Sequence, residues 1–296
     1  SKYVSLIMPA RWYSGGKGLD TFRDEMINDK SICILHDYLD SATCFGTVAI
    51  EGGICYFLRN AKSQKPCDIV THIKDGSISS RSRRYLCEEG TDIFIRDERC
   101  IDILSTVIRS QDFKSFGDLV FPRNPFDLKL KPSDFVKANT PNAINLFGRF
   151  DNTRQWRFLR PNFEIDRENG VDELIDKCKV FVSKADGAAG QIGNPIPARI
   201  IGKAVAGYEN SVCTETFLAI GTFESHEEAN NVVKYMQTKF FRFLVGIRKT
   251  KNMTRDTYKF APSLDFKEEW SDKKLYQKYN LSDQQIAFIE RMIESL

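Results

Sequence analysis

The residues best placed to do chemistry in this chain are cations, gathered where the overall composition does not suggest them. From Val232 to Lys259 eight Lys or Arg stand against Asp256 alone, a net +7, and from Arg123 to Pro161 eight positive residues stand against three negative ones, a net +5. The whole chain of 296 residues carries only +3. Charge held in two strips is the usual electrostatic footprint of an anionic partner. A solvated helix face with cations at its C-terminal end accounts for the first strip as well. In the second, Trp156 lies between Arg154 and Arg157. Such an aromatic either packs on a sugar or base edge or belongs to the core. The shorter cluster Arg81-Ser82-Arg83-Arg84 reads as a solvated loop.

Gly15-Gly16-Lys17-Gly18, between an apolar run and a helical pattern, invites comparison with phosphate-binding loops. Its spacing matches neither G-x-x-x-x-G-K-[ST] nor G-x-G-x-x-G. It reads as a flexible loop entering a helix, whose amides can at most touch a phosphate. The eight cysteines are scattered, with no C-x-x-C pair and no neighbouring histidine. That spacing argues against zinc and for reduced, partly buried thiols.

The elements that must carry these residues follow from periodicity. Ala229, Val232, Val233, Met236, Phe240, Phe243, Leu244 and Ile247 share one face at the helical repeat. Ser225 and Glu228 form a capping box before them. A single helix from His226 to Thr250 is predicted. Strands are expected at 3–8, 31–38, 53–59, 67–74 and 91–96, then at 143–149, 155–159, 180–183, 199–206 and 211–221. Further helices are expected at 19–28, 98–109, 171–177, 273–279 and 282–296, the last capped by Ser282, with 121–142 irregular. The small-residue stretch 184–191 reads as a loop that a polymer backbone can approach closely.

Hydrophobic content of 42% and charged content of 28% describe a globular protein and exclude disorder or a fibre. No apolar run approaches the roughly 18 residues of a bilayer span, and no signal peptide is evident. A cytoplasmic protein with no membrane partner is the expectation.

Several stretches, in order, resemble the C-terminal half of adenine-specific DNA methyltransferases of restriction-modification systems, large type II enzymes that join methylase and target recognition, sometimes with a nuclease. They are Leu6-Ile7-Met8-Pro9-Ala10-Arg11-Trp12, Gly15 to Leu19, Cys44-Phe45-Gly46-Thr47-Val48 and Gly52 to Leu58. Ser183-Lys184-Ala185, Cys213 to Leu218, Thr238 to Leu244 and Trp270 to Tyr276 follow. The resemblance implies S-adenosylmethionine as cofactor of the full-length enzyme, a Gly-rich loop to hold it, and an N-P-P-[YFW] tetrapeptide for the adenine. Neither motif is present here, and the chain has no Pro-Pro pair.

The chain is therefore expected to be a fragment with no catalytic residue and no bound cofactor of its own. Residues 1–60 would be the end of a truncated, Rossmann-like α/β methyltransferase sheet, and residues 61–296 a mixed α+β target-recognition domain. Its partners would be double-stranded DNA and the missing N-terminal catalytic part. By position, the resemblance implies that Phe45 contacts an extruded adenine; a core role in the sheet is the other reading. Arg154, Trp156 and Arg157, with Lys184, Arg199, Lys203, Lys239 and Arg242, are the candidate DNA contacts, most of them to phosphates. A non-enzymatic DNA specificity subunit and a protein-interaction module for an acidic partner are the alternatives.

Overall fold

A computed structural model describes residues 2–15, 18–47, 50, 52–73, 75–165, 170–186, 192–249 and 252–296. Gly16, Lys17, Val48, Lys74, the 187–191 loop, Thr250 and Lys251, on which parts of the expectations above fall, lie outside the described residues.

The chain begins with β1 (Tyr3–Pro9), α1 (Asp20–Asn28), β2 (Ile32–Tyr38), the short α2 (Ala42–Phe45) and β3 (Ile54–Asn60). β4 (Cys67–His72) and β5 (Ile78–Arg84) follow. All five strands form one sheet in the order β1-β3-β2-β4-β5. β3 runs antiparallel to both β1 and β2, β4 lies parallel to β2, and β5 closes the far edge. The sheet thus continues past residue 60. Arg81 to Arg84, expected in a loop, form part of β5, where exposed and half-buried residues alternate. The run 91–96, expected as a strand, has no strand partner among the described residues. Ile93, Phe94 and Ile95 are buried there, and the Phe94 amide donates to the Tyr13 carbonyl at 2.9 Å.

At the other edge β1 has no partner among the described residues. Tyr3, Leu6 and Ile7 are 52%, 50% and 52% exposed on it. Such an edge is a template for another strand.

The remaining elements are α3 (Glu98–Ile108), β6 (Phe135–Val136), β7 (Ile144–Phe150), β8 (Thr153–Leu159), α4 (Val171–Asp176) and β9 (Cys178–Ser183). Next come β10 (Val205–Gly207), β11 (Ser211–Cys213) and β12 (Phe217–Phe223). The chain then folds into α5 (His226–Gln237), α6 (Lys239–Arg248), α7 (Asp272–Lys278) and α8 (Asp283–Met292). One sheet has the order β10-β9-β12 and another β11-β7-β8-β6. The architecture is mixed α/β with several mixed sheets. β7 and β8 are joined by Asp151 and Asn152 at φ 51° and 60°, the left-handed pair of a tight hairpin turn. The strand expected at 199–206 shrinks to β10, and the one at 211–221 divides into β11 and β12.

β9 explains how two cores share one wall. It is buried throughout and alternates sides with period two. Cys178, Val180 and Val182 face the core under α5 and α6, while Phe181 faces the core of the β7–β8 sheet.

The predicted 226–250 helix is two helices. Thr238 ends α5 in an extended conformation at ψ 148° and caps α6, its hydroxyl accepting from the Phe241 amide at 3.2 Å. A distant carboxylate completes the break: Asp272 accepts from the amides of Lys239 at 3.0 Å and Phe240 at 2.8 Å. Both helices bury the face that periodicity assigned. Phe240, Phe243 and Leu244 are fully enclosed, each stabilising the fold by roughly 1.5–3 kcal/mol. Among the described residues no helix is long and apolar enough to cross a membrane.

Candidate nucleic-acid interface

Between the first sheet and the β7–β8 hairpin lies a cleft of about 1080 Å³. Arg11, Arg96, Arg123, Arg149, Arg154 and Lys184 are among the cations lining it. Its carboxylates are partly spent on neighbours, Asp20 on Arg23 and Asp97 on Arg99. Arg11, Arg123 and Arg149 are exposed and form no ion pair with any described residue. Among the described residues, the cleft therefore offers guanidinium groups that no ion pair engages.

Strand geometry decides which cations meet. Arg149 and Arg154 are directly opposite each other in the β7–β8 register and so share a face. Like charges in that position oppose pairing. One carboxylate relieves the repulsion: Asp186 accepts from Arg154 Nη2 at 3.4 Å and, through both oxygens, from Arg199 Nη2 at 3.0 Å. Arg154 Nη1 also donates to the Lys203 carbonyl at 3.1 Å, which brings the exposed Lys203 to the same corner. Lys184 follows the end of β9, its amide donating to the Thr216 carbonyl at 3.0 Å. Burial and then the Arg123 charge hold its ammonium below the ordinary lysine value, and Glu215 opposes them. Lys249 is buried, donates to the Ile200 carbonyl at 2.6 Å and is pushed down by burial to about 8.

Arg154, Lys184, Arg199 and Lys203 thus gather in one corner. The other candidates go elsewhere. Arg157 points to the opposite face of β8 from Arg154, pairs with Asp151 at 2.8 Å and lies over Phe150 at 4.2 Å. Trp156 shares the Arg154 face but packs on Phe147 at 5.0 Å and Phe181 at 6.1 Å, a partly buried member of the core. Lys239 pairs with Glu290 at 2.6 Å, at the far end of α6 from Lys249.

Arg242, expected on a solvent face, is 1% exposed. Its guanidinium donates to the carbonyls of Gln237, Thr238 and Arg199 at 3.1, 3.2 and 3.3 Å. Helical repeat counting put it opposite the apolar face, but the break at Thr238 re-aims α6 and turns the side chain inward. Burial pushes the pKa of its guanidinium down to about 10, still a cation at neutral pH. Sequence reasoning also passed over Arg123, Arg149 and Arg11. The first two lie inside the net-positive strip, and only the hairpin register shows that Arg149 faces Arg154.

Phe45 ends α2 and is exposed, outside the core of the sheet. Gly15 takes φ +72°, and the space beside it is filled by Arg23 Nη1 and Asp20 Oδ1, at 2.4 and 2.5 Å from where a Cβ would stand. The described part of that loop packs against Asp20 and Arg23 of α1.

The Eco57I restriction-modification methylase family model matches residues 1–45. An uncharacterized adenine-specific methylase of Mycoplasma pneumoniae (strain ATCC 29342 / M129 / Subtype 1) is 36% identical over 58 residues, which span 19% of this chain and 14% of that protein. Two solved structures are distantly similar. The type IIG restriction endonuclease BpuSI aligns over 95% of this chain and 42% of its own, at 11% identity and a TM-score of 0.36. The type IIL restriction-modification enzyme MmeI, solved in complex with DNA, aligns over 88% and 38%, at 9% identity and a TM-score of 0.42. The N-terminal segment of the chain is thus similar to a restriction-modification methylase family and to an adenine-specific methylase, and the chain spans a small part of that relative's length.

Proposed function

We propose that this chain contributes duplex-DNA recognition to a sequence-specific adenine-N6 methyltransferase of a restriction-modification system. The observation that carries the reading is the pairing of Arg149 with Arg154 across the β7–β8 hairpin, in a cleft that also holds Lys184 and Arg123. Asp186 offsets only part of the positive charge that this register and Arg199 concentrate, and a polyanion that neutralises the rest is favoured there. Such contacts position the protein, and base edges supply the sequence choice.

Methyl transfer from S-adenosylmethionine is assigned to residues outside this chain. The cofactor loop and the adenine-binding tetrapeptide are absent from its sequence. The free edge of β1, with Leu6 and Ile7 exposed, suits strand addition by the catalytic part of the same polypeptide. Residues 1–60 belong to that part in this reading, 61–296 to target recognition, and Phe45 stacks on the extruded adenine. Among the described residues the outer edge of β1 is unpaired, which supports this arrangement beside the alternative of a free-standing specificity subunit.

The experiment is competition between a defined duplex and heparin for the full chain. Retention of the duplex against a charge-matched excess of heparin supports the reading; equal displacement assigns the cleft to acidic partners in general. The chain alone is expected to transfer no methyl group from labelled cofactor to DNA, and turnover would place the catalytic residues here after all.

A further inference from the structure

The sequence offers no ligand pair at metal-binding spacing, yet folding assembles a trio. Cys178 opens β9, Glu209 lies in the turn between β10 and β11, and His226 is the first residue of α5. Their ligand atoms all lie within 4.8 Å of one another. Cys178 Sγ is 3.4 Å from Glu209 Oε1, and His226 Nε2 is 2.7 Å from Glu209 Oε2.

The surroundings hold each ligand in place. Cys178 is paired with Phe223 across β9 and β12, which fixes the thiol against the segment leading to His226. Ser225 caps α5 by accepting from the Glu228 amide at 3.1 Å, setting the angle at which His226 leaves the helix. The Glu209 turn is tied from below. Lys179 Nζ donates to the carbonyls of Ile175, Tyr208 and Ser211 at 3.0, 3.0 and 3.1 Å, and the Asn210 amide donates to the Ile175 carbonyl at 2.9 Å. The imidazole is clamped by Tyr208, stacked at 4.0 Å and 21°, whose hydroxyl accepts from Asn230 at 3.2 Å. The stacking restricts rotation of the imidazole and holds the ring that carries Nε2 toward Glu209.

We propose that Cys178, Glu209 and His226 form a Zn²⁺ site apart from the cationic cleft. One sulfur, one imidazole nitrogen and one carboxylate oxygen suit a borderline-soft, four-coordinate ion and disfavour Mg²⁺ or Ca²⁺, which take all-oxygen sets. The thiol is buried, whereas Glu209 and His226 are exposed, so the ion enters from solvent and its fourth position takes a water. On binding, the Cys178 thiol loses its proton to solvent. The thiolate, the carboxylate and a neutral imidazole become ligands, and two negative charges balance the ion. The His226–Glu209 contact opens from 2.7 Å to the roughly 3.4 Å that separates ligands around a tetrahedral ion with bonds of about 2.1 Å. The Lys179 ammonium, beside Cys178 in sequence, is held by its three carbonyl partners.

The test is titration of the full chain with Co²⁺ as a spectroscopic stand-in, followed by displacement with Zn²⁺. A thiolate-to-cobalt charge-transfer band is expected, lost in Cys178→Ser, retained in Cys44→Ser at the exposed thiol, and bleached by Zn²⁺ but not by Mg²⁺. His226→Ala and Glu209→Gln, both at exposed positions that leave the buried thiol in place, are expected to weaken Co²⁺ binding at least about tenfold. The proposal is overturned if no band appears, if the band follows Cys44 instead of Cys178, or if those two exposed variants bind Co²⁺ as the parent does.

Discussion

Asp186 grips Arg199 with both carboxylate oxygens, each 3.0 Å from the same guanidinium nitrogen, and reaches Arg154 with one of them. Two cations of the cleft corner are thus held in register by one anion that a phosphate would have to compete with. Asp186→Asn is expected to tighten duplex binding severalfold at low salt and to steepen the dependence of log K on log salt by about 0.9. Fluorescence anisotropy at several salt concentrations reads both, and an unchanged slope would mean that neither arginine reaches a phosphate.

The two faces of β8 make a second prediction. Arg149 shares the cleft face with Arg154, whereas Arg157 lies on the other. Arg149→Ala is expected to weaken duplex binding and flatten the salt slope by about 0.9, and Arg157→Ala to leave the slope unchanged. Arg157→Ala is instead expected to cost about 0.5–1 kcal/mol of stability by exposing Phe150. Equal effects on DNA binding from the two changes would contradict the assigned faces.

Arg242 is a core residue with a charge. Arg242→Ala takes the guanidinium away from three backbone carbonyls, of which Thr238 and Arg199 keep an amide donor at 3.2 and 2.9 Å, and leaves a cavity beneath α6, a combination that costs roughly 3 kcal/mol. Urea unfolding is expected to show that loss, with the salt slope of DNA binding by the folded fraction unaltered.

A pH dependence follows from the first sheet. His36 stacks on Tyr56 at 4.4 Å, and its Nδ1 lies 2.9 Å from His72 Nε2. Burial, then the charges of His72 and Arg81, hold it below the ordinary histidine value of 6.5. The unfolded chain therefore binds the proton first as pH falls. The stability that neutral His36 contributes is present above 6.5 and is lost as pH drops through its folded value. The urea midpoint is expected to fall between about pH 7.5 and about pH 5.5, and His36→Gln to reduce that fall. A midpoint whose pH dependence is the same in both proteins would reject the assignment.

What was legible in the sequence and what was not divides along local and distant causes. Period-two and helical patterns placed β1, β2, β3, α1, α3 and α8 to within a few residues, because the apolar spacing that marks them is local, although the apolar run of β1 leaves Tyr3, Leu6 and Ile7 exposed. Ser225 and Ser282 cap as their spacing indicates. The break at Thr238 was not legible, since the Asp272 carboxylate that completes it comes from far along the chain. For the same reason Arg242 looked like a surface cation. β5 escaped because polar, basic residues form an edge strand whose pairing with β4 supplies the stability that its composition does not. The charge strip 123–161 contains the β7–β8 hairpin, whose Arg149 and Arg154 line the cleft. Which of its arginines share a face needed the register, and the meeting of Cys178 with Glu209 and His226 needed the whole fold.

The most direct test of the central claim is duplex binding across a salt series, for the parent chain beside the triple change Arg123→Ala, Arg149→Ala and Lys184→Ala. A slope steeper in the parent by about 2.7, three phosphates' worth of released counterions, is the predicted result. A flat parent response, or equal slopes in the two proteins, would show that the cleft does not hold DNA.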